Sequence, residues 1–159
     1  MLTHAINVFR VSRAYCDSLV EDIAPEDFCK QPVAGLNHPA WIVGHLAVSA
    51  DRHGTFVGGV AELTGWKTKF GFGSEMSADP ADYPDKATLI AAWHAAHDRY
   101  IAAAQAASPE LLAGPNEYVR PEQLPTLADF ITFSMTAHTA IHLGQLSAWR
   151  RADGRAPLF

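Results

Sequence analysis

Residues 126–154 read TLADFITFSMTAHTAIHLGQLSAWRRADG, and this stretch decides the fold. Apolar side chains return along it every three to four residues, the spacing of one face of an α-helix. Thr126 with Asp129 three residues later resembles a capping box with Asp in place of Glu. Gly154 sits where a helix stop is expected. The predicted helix runs over 126–152. One line of positions on it is Leu127, Ile131, Ser134, His138, His142, Gln145 and Trp149. Beside it run Phe130, Phe133, Ala137, Ile141, Gly144 and Ala148. Both lines are assigned to the apolar arc, which places the two histidines inside it.

His138 and His142 are one helical turn apart, so their Cβ atoms lie about 5–6 Å from each other on one face. Two imidazoles so placed can bind one metal ion without distorting the backbone. The spacing alone leaves metal binding and ordinary core hydrogen bonding equally open.

Three further helices are predicted upstream. The first covers 2–20, with Leu2, Ile6, Phe9, Tyr15, Leu19, Val8 and Val11 at roughly helical spacing. A connector with Pro25, Pro32 and Gly35 leads to LNHPAW. There Pro39 suits the first helical position, and Asn37 or His38 caps it, Asn being the better capping type. This second helix carries Trp41, Ile42, His45, Leu46 and Val48 and fades near Gly58 and Gly59. A long loop is expected over 62–84, rich in glycine, proline and aromatics. The third helix is expected over 85–107, with Leu89, Trp93, His97, Tyr100, Ile101 and Ala104 inward, and a second loop over 114–125. No β-strand alternation appears. The fold class is all-α: a four-helix bundle with long connecting loops, one domain over residues 1–159.

His45 supplies a third inward imidazole, on the second helix. Burying three neutral rings without partners costs on the order of 1–3 kcal/mol each, and a shared metal removes that cost. Three imidazoles leave coordination positions open, the pattern of a catalytic site; structural zinc sites are closed by four protein ligands. Imidazole suits zinc, nickel, copper and iron alike. His97 is a reserve ligand candidate, His38 a cap or hinge, and His4, His53 and His94 exposed or structural. Gly144 is assigned to close helix packing and Gln145 to a hydrogen bond within the bundle or across a subunit interface. Trp41, Trp93 and Trp149 are assigned to core or pocket wall. No Glu adjoins the histidines, which argues against protease chemistry of the H-E-x-x-H type.

The chain carries 12 Lys and Arg against 17 Asp and Glu, a net charge of −5, so a nucleic-acid partner reached through a basic surface is not expected. No apolar run is long enough for a membrane span. The first residues lack the apolar core and cleavage site of a signal peptide, and Cys16 and Cys29 have no CxxC spacing; both are read as small buried hydrophobes in a cytoplasmic protein.

LNHPAWIVGHLAVSADR, followed by AHTAIHLGQLSAWRRADGRAP, resembles the DinB/YfiT-like superfamily. The shared marks are N-x-x-W-x-x-G-H-L and H-x3-H-x-G-Q. The resemblance implies that His45, His138 and His142 hold a divalent metal ion, zinc or nickel first. It implies a small-molecule substrate and a thiol-dependent S-transferase activity with a low-molecular-weight thiol such as bacillithiol, mycothiol or glutathione. A metal-dependent hydrolase, or a non-catalytic stress-linked bundle protein with a structural metal, are the alternatives. Related bundles pair, and alanine-rich helix faces (Ala91, Ala92, Ala95, Ala96, Ala102, Ala103, Ala106, Ala107) fit a homodimer.

Overall fold

A computed structural model of the chain describes residues 2–77 and 79–158. The helices are α1 (Thr3–Val20), α2 (Pro39–Thr55), the short α3 (Lys67–Phe70), α4 (Lys86–Ala106), the short α5 (Pro109–Ala113), α6 (Leu127–Phe133) and α7 (Thr139–Ala152). A π-helical segment, Ser134–His138, joins α6 to α7 without a break. Together α1, α2, α4 and the composite α6–π–α7 form a four-helix bundle. Among the described residues there is no strand, only an isolated bridge between Pro115 and Thr126.

Helix ends fall where local chemistry sets them. The Thr126–Asp129 capping box is formed, with Asp129 N–H donating to Thr126 Oγ1 at 3.2 Å and Thr126 N–H to the Asp129 carboxylate at 3.0 Å. Asp85 caps α4 through Thr88 N–H at 2.7 Å, and Gly154 ends α7 with φ +78°. Of the two cap candidates for α2, His38 takes the role, its Nδ1 accepting Trp41 N–H at 3.1 Å. Its Nε2–H then donates to Ser77 O at 3.0 Å. Asn37 instead reaches Gln145 Oε1 at 3.5 Å, across the bundle.

α2 is the central rod. Every residue from Pro39 to Val48 is buried, because α4 packs along one side, α7 along another and the 62–84 segment covers a third. α4 buries the face expected of it, Leu89, Trp93, His97, Tyr100, Ile101 and Ala104, with Ala96 added. α1 buries Ile6, Phe9, Cys16 and Leu19, but Val8 and Val11 face solvent. α5, capped by Ser108, was not anticipated.

The π segment changes the phase of the last helix. Up to its first residue, Leu127, Phe130, Ile131 and Ser134 are buried, as a plain α-helix requires. After it, the buried row is Thr139, Leu143, Leu146, Trp149 and Arg150. The wider turn inserts one residue into the period, so the row advances by one position. Ala137, Ile141, Gly144 and Ala148, assigned inward by extrapolating one period, are exposed. His138 and His142 come to the edge of the buried arc and are partly open. A Cβ at Gly144 would meet nothing within 4 Å, so close helix packing is not its role.

The described residues of the 62–84 segment form a strap. Thr64–Trp66 and Pro80–Asp82 are 3₁₀ turns and α3 lies between them. The buried Asp51 carboxylate anchors its start, accepting Glu62 N–H at 3.0 Å, Leu63 N–H at 2.9 Å and Arg99 at 2.7 Å. Tyr83 OH accepts Ser77 N–H at 2.8 Å near its end.

Candidate metal centre

α2 and the α6–π–α7 rod bring His45, His138 and His142 together, with one nitrogen from each lying within 4.8 Å of the others. His45 Nε2 and His138 Nε2 are 3.3 Å apart. Ring centroids are separated by 4.4 Å for His45–His142 and 4.7 Å for His138–His142. Among the described residues no Asp, Glu or Cys joins this cluster.

Hydrogen bonds on the far side of two rings set which nitrogen faces the centre. His45 Nδ1–H donates to Phe70 O at 2.7 Å, and His142 Nδ1–H donates to Gln145 Oε1 at 3.0 Å. Each contact demands the Nδ1–H tautomer and leaves the lone pair on Nε2, which in His45 lies 3.4 Å from Ser49 Oγ and 3.3 Å from His138 Nε2. Gln145 thus acts within the bundle, and the carbonyl of Phe70, unforeseen from sequence, does the same from the strap. Phe70 reaches α2 because residue 44 is glycine: a Cβ there would overlap the Phe70 ring. Trp41 stacks on His45 at 4.8 Å with planes 9° apart, and its indole N–H is held by Ser74 Oγ at 3.0 Å. Trp41, Trp93 and Trp149 are all buried, as core or wall.

The rings are held neutral. Burial first, then the neighbouring imidazoles His142, His53 and His45, push His138 down to about 3. Burial and His45 push His142 down to about 4, and burial lowers His45. Three neutral imidazoles with converging nitrogens, two of them turning an Nε2 lone pair inward, are a donor set suited to a divalent ion, so the residues present fit such a group.

His53 is the residue whose place the sequence did not reveal. Its Nδ1 pairs with Ser134 Oγ at 2.7 Å and its ring lies 5.9 Å from His138. Burial lowers it to about 3. The signal was available: His53 follows His45 by eight residues, two turns along the same face of α2. His97 is not brought to the cluster. It stacks on Phe9 at 4.2 Å, and its ring nitrogens pair with Phe9 O and Asp98. His94 pairs with Asp17 at 2.7 Å, and His4 is exposed. Cys16 and Cys29 are free thiols, both pushed up by burial.

Fold and site define a class. The chain belongs to the DinB superfamily, whose family model matches residues 9–146. Among solved structures it is similar to YfiT from Bacillus subtilis, described as a probable metal-dependent hydrolase with an unusual four-helix bundle topology. The two are 16% identical, with a TM-score of 0.65 over 96% of this chain and 87% of that one, a likeness of fold. No curated protein matches the sequence. No helix among the described residues is long and apolar enough to cross a membrane.

Proposed function

We propose that His45, His138 and His142 hold one divalent metal ion, zinc or nickel, through Nε2, and that the protein is a thiol-dependent S-transferase acting on a small electrophile. The observation that carries the metal assignment is the convergence of three neutral imidazole nitrogens, two of them with Nδ1–H fixed outward by Phe70 O and Gln145 Oε1. When bound, such an ion lowers the pKa of a thiol or water held at its open positions.

A thiol is favoured over water by the resemblance to thiol-dependent relatives, since a three-imidazole site can also activate water. A coordinated thiol loses its proton outright, whereas hydrolysis in zinc peptidases draws on a carboxylate base. No carboxylate joins the cluster among the described residues. In the transfer, the thiolate sulfur forms a bond to the electrophilic carbon, the bond to the leaving group breaks, and the leaving group departs with that electron pair. His45, His138 and His142 stay neutral throughout, and stacked Trp41 screens one side of the His45 ring from water. The free thiols Cys16 and Cys29 fit a reducing compartment, the cytoplasm. Residues 1–159 are read as one domain, and the exposed alanines of α4 (Ala91, Ala95, Ala102, Ala106) as a surface for homodimerisation.

A second reading, metal-dependent hydrolysis, is favoured by the description of YfiT. One experiment separates them. Zinc- or nickel-loaded protein is incubated with a thiol panel and monobromobimane, and in parallel with activated esters and amides. Metal-dependent loss of free thiol supports transfer; ester or amide cleavage without thiol supports hydrolysis. Neither activity in metal-loaded protein leaves the structural-metal reading.

A further inference from the structure

A cavity of about 10 Å³ is lined by Ser49, Trp93, Tyr100, Ser134, His138 and Thr139 among apolar neighbours. That is room for one water molecule. Two of its lining residues carry a buried polar atom with no hydrogen-bond partner among the described residues: Trp93 Nε1 and Tyr100 OH. Both residues are only 1% exposed. An unpaired buried donor costs about 1–3 kcal/mol, and two of them on residues that line one small cavity point to a shared ligand.

The third unpaired group belongs to the metal centre. His45 and His142 each give Nδ1–H to an acceptor. His138 is fixed only at Nε2, beside His45, and its Nδ1 has no hydrogen bond among the described residues. Histidines that bind metal nearly always donate their other N–H to a carboxylate, a carbonyl or a water.

We propose that one internal water occupies this cavity, joins Trp93 Nε1–H, Tyr100 OH and His138 Nδ1–H, and positions His138 as a metal ligand. The donor inventory allows it. Indole is donor-only, and so is the Nδ1–H of an imidazole bound through Nε2; both need an acceptor, and a water has two lone pairs. Its two hydrogens then face acceptors in the same wall: Tyr100 OH, and the hydroxyl oxygen of Ser49, Ser134 or Thr139. Thr139 Oγ1 already donates to Ser134 O at 3.0 Å, which leaves its lone pairs free to accept. Burial pushes the Tyr100 phenol up, opposed by the nearby Ser134 hydroxyl, which lies outside hydrogen-bond geometry, so the phenol stays protonated and able to donate in turn. Trp93 and Tyr100 are therefore positioning residues that act on the metal through the water and His138.

The role of His138 rests on the metal assignment above; the water site does not. Crystals of the wild-type protein are solved to about 1.5 Å, metal-free and zinc-loaded. A single ordered water within about 2.7–3.2 Å of Trp93 Nε1 and Tyr100 OH is expected in both, and in the loaded form also within reach of His138 Nδ1. A cavity without water in both overturns the proposal. Zinc affinity is then measured for Tyr100→Phe and Trp93→Phe. A dissociation constant raised about tenfold or more is expected, with a protected His138 Nδ1–H signal in the wild-type ¹⁵N spectrum that weakens in the variants. Unchanged affinity in both overturns the positioning role. Should either variant fail to fold, the wild-type crystals and the ¹⁵N spectrum still decide. Water present in protein that takes up no zinc would sink the metal assignment and leave the water site standing.

Discussion

The carbonyl of Phe70 accepts the Nδ1–H of His45 at 2.7 Å, so a strap residue fixes the orientation of a ligand candidate on α2. Gly44 makes the contact possible, since a methyl group there would overlap the Phe70 ring. Gly44→Ala is expected to lower stability by about 1–3 kcal/mol, the range for overpacking, and to weaken zinc binding as Phe70 O moves away. Thermal melts with and without zinc check both effects; unchanged zinc affinity would remove the orienting role of the strap.

Gln145 does for His142 what Phe70 does for His45. Gln145→Leu removes the acceptor while keeping the size. Zinc affinity is expected to fall about 10- to 100-fold, the usual effect of losing an outer-shell partner. Calorimetric titration reads it directly.

His45→Ala, His138→Ala and His142→Ala are each expected to abolish stoichiometric metal in elemental analysis, while His94→Ala, which removes a hydrogen bond with Asp17, leaves it intact. A chelator is expected to lower the melting temperature of the wild-type protein, because a ligand that binds only the folded state stabilises it. Full metal content in any of the three alanine variants would exclude that residue as a ligand.

The metal-free protein is expected to be acid-sensitive well above the carboxylate range. His53 and His138 are held near 3 and His142 near 4, against an ordinary value of 6.5. As pH falls below 6.5 the unfolded chain takes up protons that the folded chain refuses, so stability drops until the folded rings titrate. The ceiling is about 1.4 kcal/mol per pH unit for each ring, reduced because the rings are partly open. Urea unfolding at pH 7, 6, 5 and 4.5 measures the slope; a flat profile between 7 and 5 contradicts the neutral, buried assignment.

Arg150 is buried and ties the end of α1 to the α1–α2 connector, donating to Leu19 O at 2.8 Å and to the Asp22 carboxylate. The ion pair keeps the Asp22 carboxyl below its usual range. Asp22→Ala leaves the guanidinium with fewer partners in a buried setting. A loss of about 1–3 kcal/mol is expected, less than for a fully buried pair because Asp22 is half exposed. Equilibrium unfolding at neutral pH checks it.

How far the sequence could be read varied along the chain. The capping box at Thr126 and Asp129 and the stop at Gly154 depend on three or four adjacent residues, and both were legible. The inner face of α4 was legible too, because one uninterrupted period governs it. The same extrapolation failed past Ser134, where the π turn advances the buried row to Thr139, Leu143 and Leu146. Nothing in SMTAH marks that turn, since any residue type can adopt its dihedrals. Asn37 was the better cap by residue type, yet His38 caps α2, because Ser77 O, 39 positions away, accepts its other ring nitrogen.

By itself the sequence determined an all-helical bundle, the four long rods, and three histidines as one candidate centre. Those features follow from periodicity and caps, which are local. Only the tertiary structure decided how the centre is set. The π turn brings His138 and His142 to the rim, His53 stands behind them, and Phe70 O and Gln145 turn two imidazoles inward. Trp93 and Tyr100, each with an unpaired group, line one cavity with His138. Such relations are made by side chains that meet across the bundle, His45 and His138 being 93 positions apart. Packing, which places them, is not written in the order of neighbouring residues.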